Sequence, residues 1–338
     1  MKIVRTDREL QTPRLDTALT AAGHELVLLP DGVPEDDLIA ACTDADLVLM
    51  CYTPITRRVI ENAPRLKGIV KYGVGIDAID IPAAIDNGVS VVNIPEYAEE
   101  TVAEGAFALM IALAKKLTRL NTHMTKSGWA WPEPTWLGTD IAGKTVGIIG
   151  LGKIGRSMAR MAGAGFRARV IAYSPHSSDD EMRKQGIEKI ENLHDFLAQC
   201  DFVTIHSVLN DETHGLIGAA ELRTMKETAF LINVSRGAIV DETALVQAIT
   251  QGWIAGAGLD VFSQEPLTRR GHPMSALFDH PDVILSPHLT FYTEQAMQRL
   301  EDETLERCLE VLEGRDVQIT STDPRLRAQT SGVTFTSR

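Results

Sequence analysis

Thr145-Val146-Gly147-Ile148-Ile149-Gly150-Leu151-Gly152-Lys153-Ile154-Gly155 is the stretch that decides how this 338-residue chain folds. Its first five residues read as a short apolar strand. The rest is G-x-G-x-x-G running into a helical pattern over residues 156–164. Each glycine has its own duty where strand, turn and helix meet a pyrophosphate. Gly150 permits the tight turn, Gly152 lets phosphate oxygens approach the backbone, and Gly155 lets the helix pack on the strand. The helix start adds unpaired N–H groups and a partial positive charge. The spacing predicts a dinucleotide-binding turn.

Outward from this turn, apolar strands are expected at 146–149, 170–173, 202–206, 230–233, 256–260 and 283–286. Six strands with the glycine fingerprint after the first predict a doubly wound nucleotide-binding domain. Upstream, short apolar runs at 2–5, 25–29, 45–50, 66–70 and 90–94 alternate with helical stretches that end in glycine or break at proline. They predict a smaller parallel sheet with helices on both faces. Residues 99–116 hold no proline and many helix formers, which predicts one long amphipathic helix. Residues 129–137, with tryptophan and proline, are too irregular for an element of their own. A last helix over 294–312 has no strand to cross to and is expected to return to the first domain. The expected division is 1–98 with 290–338 as a discontinuous domain, and 99–289 as the dinucleotide-binding domain. The polar tail from Val317 is expected to be partly disordered.

Charge and composition exclude whole classes of function. The net charge is −13, which argues against nucleic acid or an anionic membrane as a main partner. No apolar run approaches the roughly 20 residues that span a bilayer, and the N-terminus has no signal-peptide core. Cys42, Cys51, Cys200 and Cys308 lie far apart. They suit buried thiols in a reducing, cytoplasmic setting better than disulfides, and no metal site is expected.

Where a second strand of this kind ends, an acidic residue commonly takes the adenosine ribose. Here Ser174 follows residues 170–173. It lacks the charge that repels a 2′-phosphate, but no arginine follows it, and Asp179 and Asp180 further on would oppose a phosphate. Both NAD and NADP stay open, with a slight lean to NAD.

Three polar residues fall at or beyond strand ends of the second series: Arg236 after 231–235, Glu265 past 258–262, and His288 after 284–287. Parallel doubly wound sheets hold ligands at that edge. Arginine offers a fork for a carboxylate, and histidine exchanges a proton near neutral pH. A neighbouring carboxylate would favour the imidazolium and hold the ring. Taken singly, a surface ion pair, a solvated loop charge and a capped turn are the plainer explanations.

With these residues in view, the chain resembles the D-isomer-specific 2-hydroxyacid dehydrogenases. The resemblance runs from the first strand to about Leu312. It rests on Gly73-Val74-Gly75-Ile76-Asp77, the Gly150 to Gly155 turn, Asn233-Val234-Ser235-Arg236-Gly237, Asp260-Val261-Phe262 with Glu265-Pro266, and Ser286-Pro287-His288. It implies an α/β fold of two doubly wound parallel-sheet domains, a flavodoxin-like substrate domain and a Rossmann dinucleotide-binding domain. It implies NAD(P)-dependent hydride transfer between a 2-hydroxy acid and its 2-oxo acid. By the same resemblance Arg236 binds the substrate carboxylate and carbonyl, His288 is general acid/base and Glu265 sets its protonation. The backbone of Val74 and Gly75 would hold the carboxylate. Thr101, Gly150, Gly152, Lys153, Ile154, Gly155, Ser174, His206, Ser207, Val208, Val234, Ser235, Arg236, Asp260 and His288 would line the cofactor. A homodimer, formed near 99–116 and the tryptophan segment, and a cleft that closes on substrate are also implied.

Several positions depart from the family pattern. Ser174 replaces the usual acidic residue. Leu289-Thr290-Phe291-Tyr292 makes the side of the pocket after His288 bulkier. Tyr52 stands near where 3-phosphoglycerate enzymes typically carry arginine. Lys71 is a candidate cation for a distal anionic group, a solvated surface lysine being the plainer expectation. The chain is also expected to carry no added regulatory domain. Two other functions compete: a dinucleotide-sensing binding protein of the corepressor type, and an S-adenosylmethionine-dependent methyltransferase. The second gives no role to Glu265 and His288.

Overall fold

The computed structural model describes residues 1–336. Ser337 and Arg338, the end of the tail expected to be partly disordered, lie outside the described residues. The chain forms two compact units, residues 1–98 with the segment from Thr293 onward, and Glu99–Tyr292.

The first unit holds five parallel strands: β1 (Lys2–Arg5), β2 (Glu25–Leu28), β3 (Leu47–Met50), β4 (Gly68–Lys71) and β5 (Ser90–Asn93). Their order is β2-β1-β3-β4-β5, the flavodoxin-like arrangement. Every residue of β3, β4 and β5 is buried, as a sheet covered on both faces requires. The helix Glu294–Glu313 packs on this sheet. Its Val311 methyls lie 2.8 and 2.9 Å from where a Cβ at Gly68 would stand, so only glycine fits beneath it.

The second unit carries β6 (Thr145–Ile149), β7 (Arg169–Tyr173), β8 (Glu188–Lys189), β9 (Phe202–Ile205), β10 (Phe230–Asn233), β11 (Gly256–Leu259) and β12 (Val283–Leu285). All neighbours are parallel, in the order β12-β11-β10-β9-β6-β7-β8. Counted within the unit, that is the 3-2-1-4-5-6 Rossmann order with one strand added. The order reverses between β6 and β9, which opens a crevice at their C-terminal ends.

Four local expectations are corrected. The second sheet has seven strands, not six, because β8 is two polar residues with no alternation to betray it. The helix predicted over 99–116 ends at Ala114: Thr139 N–H takes the Ala114 carbonyl at 2.8 Å, and Lys116 turns left-handed at φ 52°. A second helix, Leu117–Ser127, follows. The helix after the glycine turn spans Lys153–Arg160 and continues as a wider turn, Met161–Gly165. The tail is ordered through residue 336. Its strands β13 (Val317–Ile319) and β14 (Val333–Phe335) pair in parallel, and the Gln329 amide bonds both N–H and C=O of Val91 on β5. A polar tail is thus fixed by a side-chain amide that caps the edge strand of the sheet.

The four cysteines are buried and free. Burial pushes the Cys42 thiol up to about 11 and that of Cys200 up to about 12. Among the described residues no His/Cys/Asp/Glu group could hold a metal ion, and no helix is long and apolar enough to cross a membrane.

Candidate active site

The three glycines of the turn after β6 are required for different reasons. Gly150 sits at φ +87°, and a Cβ there would lie 2.4 Å from Ser207 Oγ and 2.7 Å from its Cα and N. A Cβ on Gly155 would lie 2.2 Å from the Gly150 carbonyl, which is the close helix–strand approach. Gly152 is unlike both. Nothing in the protein comes within 4 Å of its would-be Cβ, and no side chain caps the helix that starts beside it. A side chain at Gly152 would fill only the space over the helix N-terminus, where a diphosphate fits.

Around this turn, Ser174 is buried and accepts the Leu151 N–H at 3.3 Å, with Ser177 Oγ at 2.8 Å. Asp179 and Asp180 both pair with Arg183, Asp180 at 3.4 Å. Lys153 Nζ lies 3.2 Å from Glu99, and Ile154 is half-buried. Thr101 and Val234 are buried, and Val208 is exposed. His206 pairs through Nε2 with Thr204 Oγ1 at 2.9 Å, while its buried Nδ1 finds no protein partner. Burial pushes the His206 ring down to about 3, so it is neutral at physiological pH. A shielded, uncharged ring with an orphaned nitrogen suits a polar, non-acidic ligand group. The residues present fit a dinucleotide.

At the ends of β10, β11 and β12 the three predicted chemistry residues stand on one sheet edge of this unit. His288 Nδ1 and Glu265 Oε2 are 2.8 Å apart. The other carboxylate oxygen, Glu265 Oε1, accepts the Phe262 N–H at 2.9 Å. Burial alone would raise the Glu265 carboxyl, but the bond to His288, the ring's charge, the Phe262 N–H and the Arg236 guanidinium hold it below the usual carboxylate range. The imidazole is thus tied to the carboxylate through Nδ1. Arg236 Nη1 donates to the Ser235 carbonyl at 2.7 Å. The Asn233 side chain braces this turn, donating to Arg236 O at 2.9 Å and accepting Ser235 N–H at 3.1 Å. Ser235 Oγ donates to the Ser207 carbonyl.

His288 itself adopts φ 58°, a left-handed conformation uncommon for a residue with a Cβ. It is held there from the next two residues. The wholly buried Asp260 carboxylate accepts Leu289 N–H at 2.9 Å, Thr290 N–H at 3.0 Å and Thr290 Oγ1–H at 2.6 Å. Thr290 in turn rests where a Cβ at Gly105 would be, 2.6 Å away. Of the bulky run after His288, only Phe291 is buried, edge-on to the His288 ring with centroids 6.4 Å apart. Leu289 and Tyr292 are exposed. Asp260, expected to line the cofactor, spends its carboxylate on this loop.

In the first unit, Lys71 corrects the expectation of a solvated lysine. It is 5% exposed, donates to the Cys51 carbonyl, lies 3.2 Å from Cys51 Sγ and sits 5.3 Å under the Tyr52 ring. Tyr52 and Val74 are exposed, Gly75 is half-buried, and Asn93 Nδ2 holds the Val74 carbonyl at 2.6 Å. Sequence reasoning missed Asp7, buried at φ 56° beyond β1. Its carboxylate accepts the N–H groups of Cys51, Tyr52 and Thr53 and the hydroxyls of Thr53 and Thr6, which fixes the Tyr52 loop. A lone acid after a strand carries no sequence signal for such a role.

Residues 107–290 match the family described as D-isomer specific 2-hydroxyacid dehydrogenase, NAD binding domain. The chain is 38% identical over 290 residues to a glyoxylate reductase of Korarchaeum cryptofilum, covering 84% of this chain and 86% of the relative. It is 39% identical over 270 residues to a D-3-phosphoglycerate dehydrogenase of Mycobacterium tuberculosis, covering 80% of this chain and 49% of that longer protein. Among solved structures, a D-lactate dehydrogenase of Aquifex aeolicus complexed with NAD and lactic acid matches with a TM-score of 0.82 and 28% identity, over 92% of this chain and 96% of the other.

Proposed function

The chain belongs to the D-isomer-specific 2-hydroxyacid dehydrogenase family, and on that premise we propose how its own residues carry out the family's reaction. It is an NAD(P)-dependent oxidoreductase interconverting 2-hydroxy and 2-oxo acids. The dinucleotide, when bound, supplies or accepts the hydride at C2. Gly150, Gly152 and Gly155, with the start of the helix Lys153–Arg160, hold its diphosphate. The Arg236 fork orients the substrate carboxylate and carbonyl. His288 gives a proton from Nε2 to the carbonyl oxygen in reduction and recovers it in oxidation. Glu265 fixes the ring through Nδ1. The observation that carries this reading is the 2.8 Å His288–Glu265 pair, held on a strained backbone at the ligand edge of the sheet.

The substrate we propose is a short 2-oxo acid without a second anionic group, of the size of glyoxylate or hydroxypyruvate. Lys71, the candidate cation for a distal anion, is engaged by Cys51 and covered by Tyr52. The glyoxylate reductase relative supports the same class. We further propose a cytoplasmic homodimer. Four buried free thiols suit a reducing compartment. Trp129, Trp131 and Leu137, the last two 73% and 71% exposed, suit a surface that a second copy covers.

The test is NADH and NADPH oxidation with glyoxylate, hydroxypyruvate, pyruvate and phosphohydroxypyruvate. Turnover is expected with the short acids and little with the phosphorylated one. His288→Ala and Arg236→Ala should each lose at least about 100-fold in kcat while still binding NADH by fluorescence. Wild-type rates in either variant remove that residue from the chemistry. Absence of turnover with every 2-oxo acid overturns the substrate assignment.

A further inference from the structure

Linked to Glu265 through the backbone at Phe262 and Ser263 is a second carboxylate–imidazole pair, Glu242 and His272, that the reaction as described does not use. Glu242 opens the helix Glu242–Thr250, but it is not the helix cap. Asp241 already fills that role, accepting the Ala244 N–H at 3.0 Å. The Glu242 side chain is only 8% exposed. A carboxylate that deep is costly unless its oxygens are satisfied. Its acceptors are spent on one residue: Ser263 donates its N–H at 2.6 Å and its hydroxyl at 2.5 Å.

Ser263 follows Phe262, whose own N–H reaches Glu265 Oε1 at 2.9 Å. Consecutive peptide N–H groups therefore serve two carboxylates, one buried and one paired with His288. The turn they share is clamped from its other side. A Cβ on Gly237, the residue after Arg236, would lie 1.9 Å from the Phe262 carbonyl carbon and 2.2 Å from Ser263 N. The turn is thus closely packed on the Arg236 side, and Glu242 anchors it through Ser263. His272 backs that anchor. Its Nδ1 accepts the Met274 N–H at 3.1 Å, which leaves the proton on Nε2, 3.7 Å from Glu242 Oε2. That is too long for a hydrogen bond but close enough to stabilise the charge in a shielded setting. Met274 and Leu277 of the same short turn are buried as well.

We propose that Glu242, backed by His272, is a positioning residue that aligns Glu265, and through it His288, by way of the Phe262–Ser263 turn. This rests on the reading of Glu265 and His288 given above. Removing the Glu242 charge frees the turn, moves the Phe262 N–H off Glu265, and leaves that carboxylate with one of its two alignments. The dinucleotide turn at Gly150 to Gly155 makes no contact in this chain of bonds, so cofactor affinity should not follow.

The experiment is a double-mutant cycle on the full chain, with Glu242→Gln, Glu265→Gln and both together, read as kcat, as KM for glyoxylate and as NADH binding by fluorescence. Glu242→Gln should lower kcat about tenfold, the size of one lost aligned hydrogen bond, with NADH binding unchanged. On the Glu265→Gln background the same change should cost less than about twofold, because its effect already passes through Glu265. An equal loss on both backgrounds, wild-type kcat in Glu242→Gln, or a loss matched by weaker NADH binding overturns the positioning role. Wild-type turnover in Glu265→Gln overturns instead the reading on which it rests. Should Glu242→Gln not fold, Ser263→Ala removes only the hydroxyl donor, and about a threefold loss with the same non-additivity is expected. Additive behaviour of Ser263→Ala counts against the proposal in the same way.

Discussion

Asp260→Asn tests how the strained histidine is kept in place. His288 at φ 58° costs on the order of 1–3 kcal/mol and persists only where its surroundings over-determine it. The Asp260 carboxylate is wholly buried and accepts three donors from the two residues after His288, at 2.9, 3.0 and 2.6 Å. Two of those donors converge on Oδ2. In asparagine one oxygen becomes an NH₂, which faces at least one N–H it cannot accept. The change removes at least one charge-assisted bond worth about 1.5–3 kcal/mol and leaves a buried donor unpaired at about 1–3 kcal/mol more. The summed loss of about 2.5–6 kcal/mol matches or exceeds the strain of about 1–3 kcal/mol that it restrains. His288 should therefore relax out of the left-handed region and lose its register with Glu265. Expected is a fall in kcat of about 100-fold with glyoxylate, of the order that a displaced acid–base group produces. NADH affinity should stay within about threefold, because Asp260 spends its carboxylate on the loop and not on a ligand. If kcat stays near wild type, the strap is not what holds His288. If NADH affinity falls in step with kcat, Asp260 is a cofactor contact first.

The glycines separate into structural and ligand-facing kinds. Gly152→Ala should leave the thermal midpoint unchanged, since nothing lies within 4 Å of the new methyl, yet weaken NADH binding at least about tenfold. Gly155→Ala, with its Cβ 2.2 Å from a carbonyl oxygen, should lower the midpoint as well, and equal behaviour of the two variants in a melting assay contradicts the distinction. The Glu265 carboxyl is held below its ordinary value of 4.5, so its ionised form favours the native state. That contribution is fully present above the unfolded value and is lost as the pH falls through the depressed folded one. The gap in thermal midpoint between wild type and Glu265→Gln should accordingly be widest near neutrality and close as the pH falls through the depressed folded value, and a pH-independent gap is inconsistent with the ion pair. Leu137→Asp, which puts a charge on the surface proposed to meet a second copy, should convert a dimer to a monomer in sedimentation experiments, and a wild-type chain that sediments as a monomer removes the proposed interface.

Much of the fold, and the placing of the candidate site at one sheet edge, was readable from the chain because it follows rules that are local or periodic. The glycine turn has a fixed spacing tied to a fixed task. Parallel strands buried on both faces are continuous apolar runs, and the ligand edge follows from strand direction alone. Those rules led to both doubly wound sheets and to Arg236, Glu265 and His288. Where the reading failed, the cause lay in partners distant along the chain. β8 carries no pattern, the long helix was stopped by the Thr139 N–H, and the tail was ordered by Gln329 on Val91. Lys71 looks like any surface lysine until Cys51 and Tyr52 enclose it.

The amino-acid sequence by itself determined the two parallel sheets, the glycine turn after β6 and the polar residue types at one sheet edge, because periodicity and spacing are properties of the chain. Only the tertiary structure decided which carboxylates are spent on holding the others: Asp7 on the Tyr52 loop, Asp260 on the His288 loop, Glu242 on the turn under Glu265. A buried acid acquires such a task from the donors that folding brings to it, and apart from Thr6 beside Asp7 those donors lie 21 to 46 residues away.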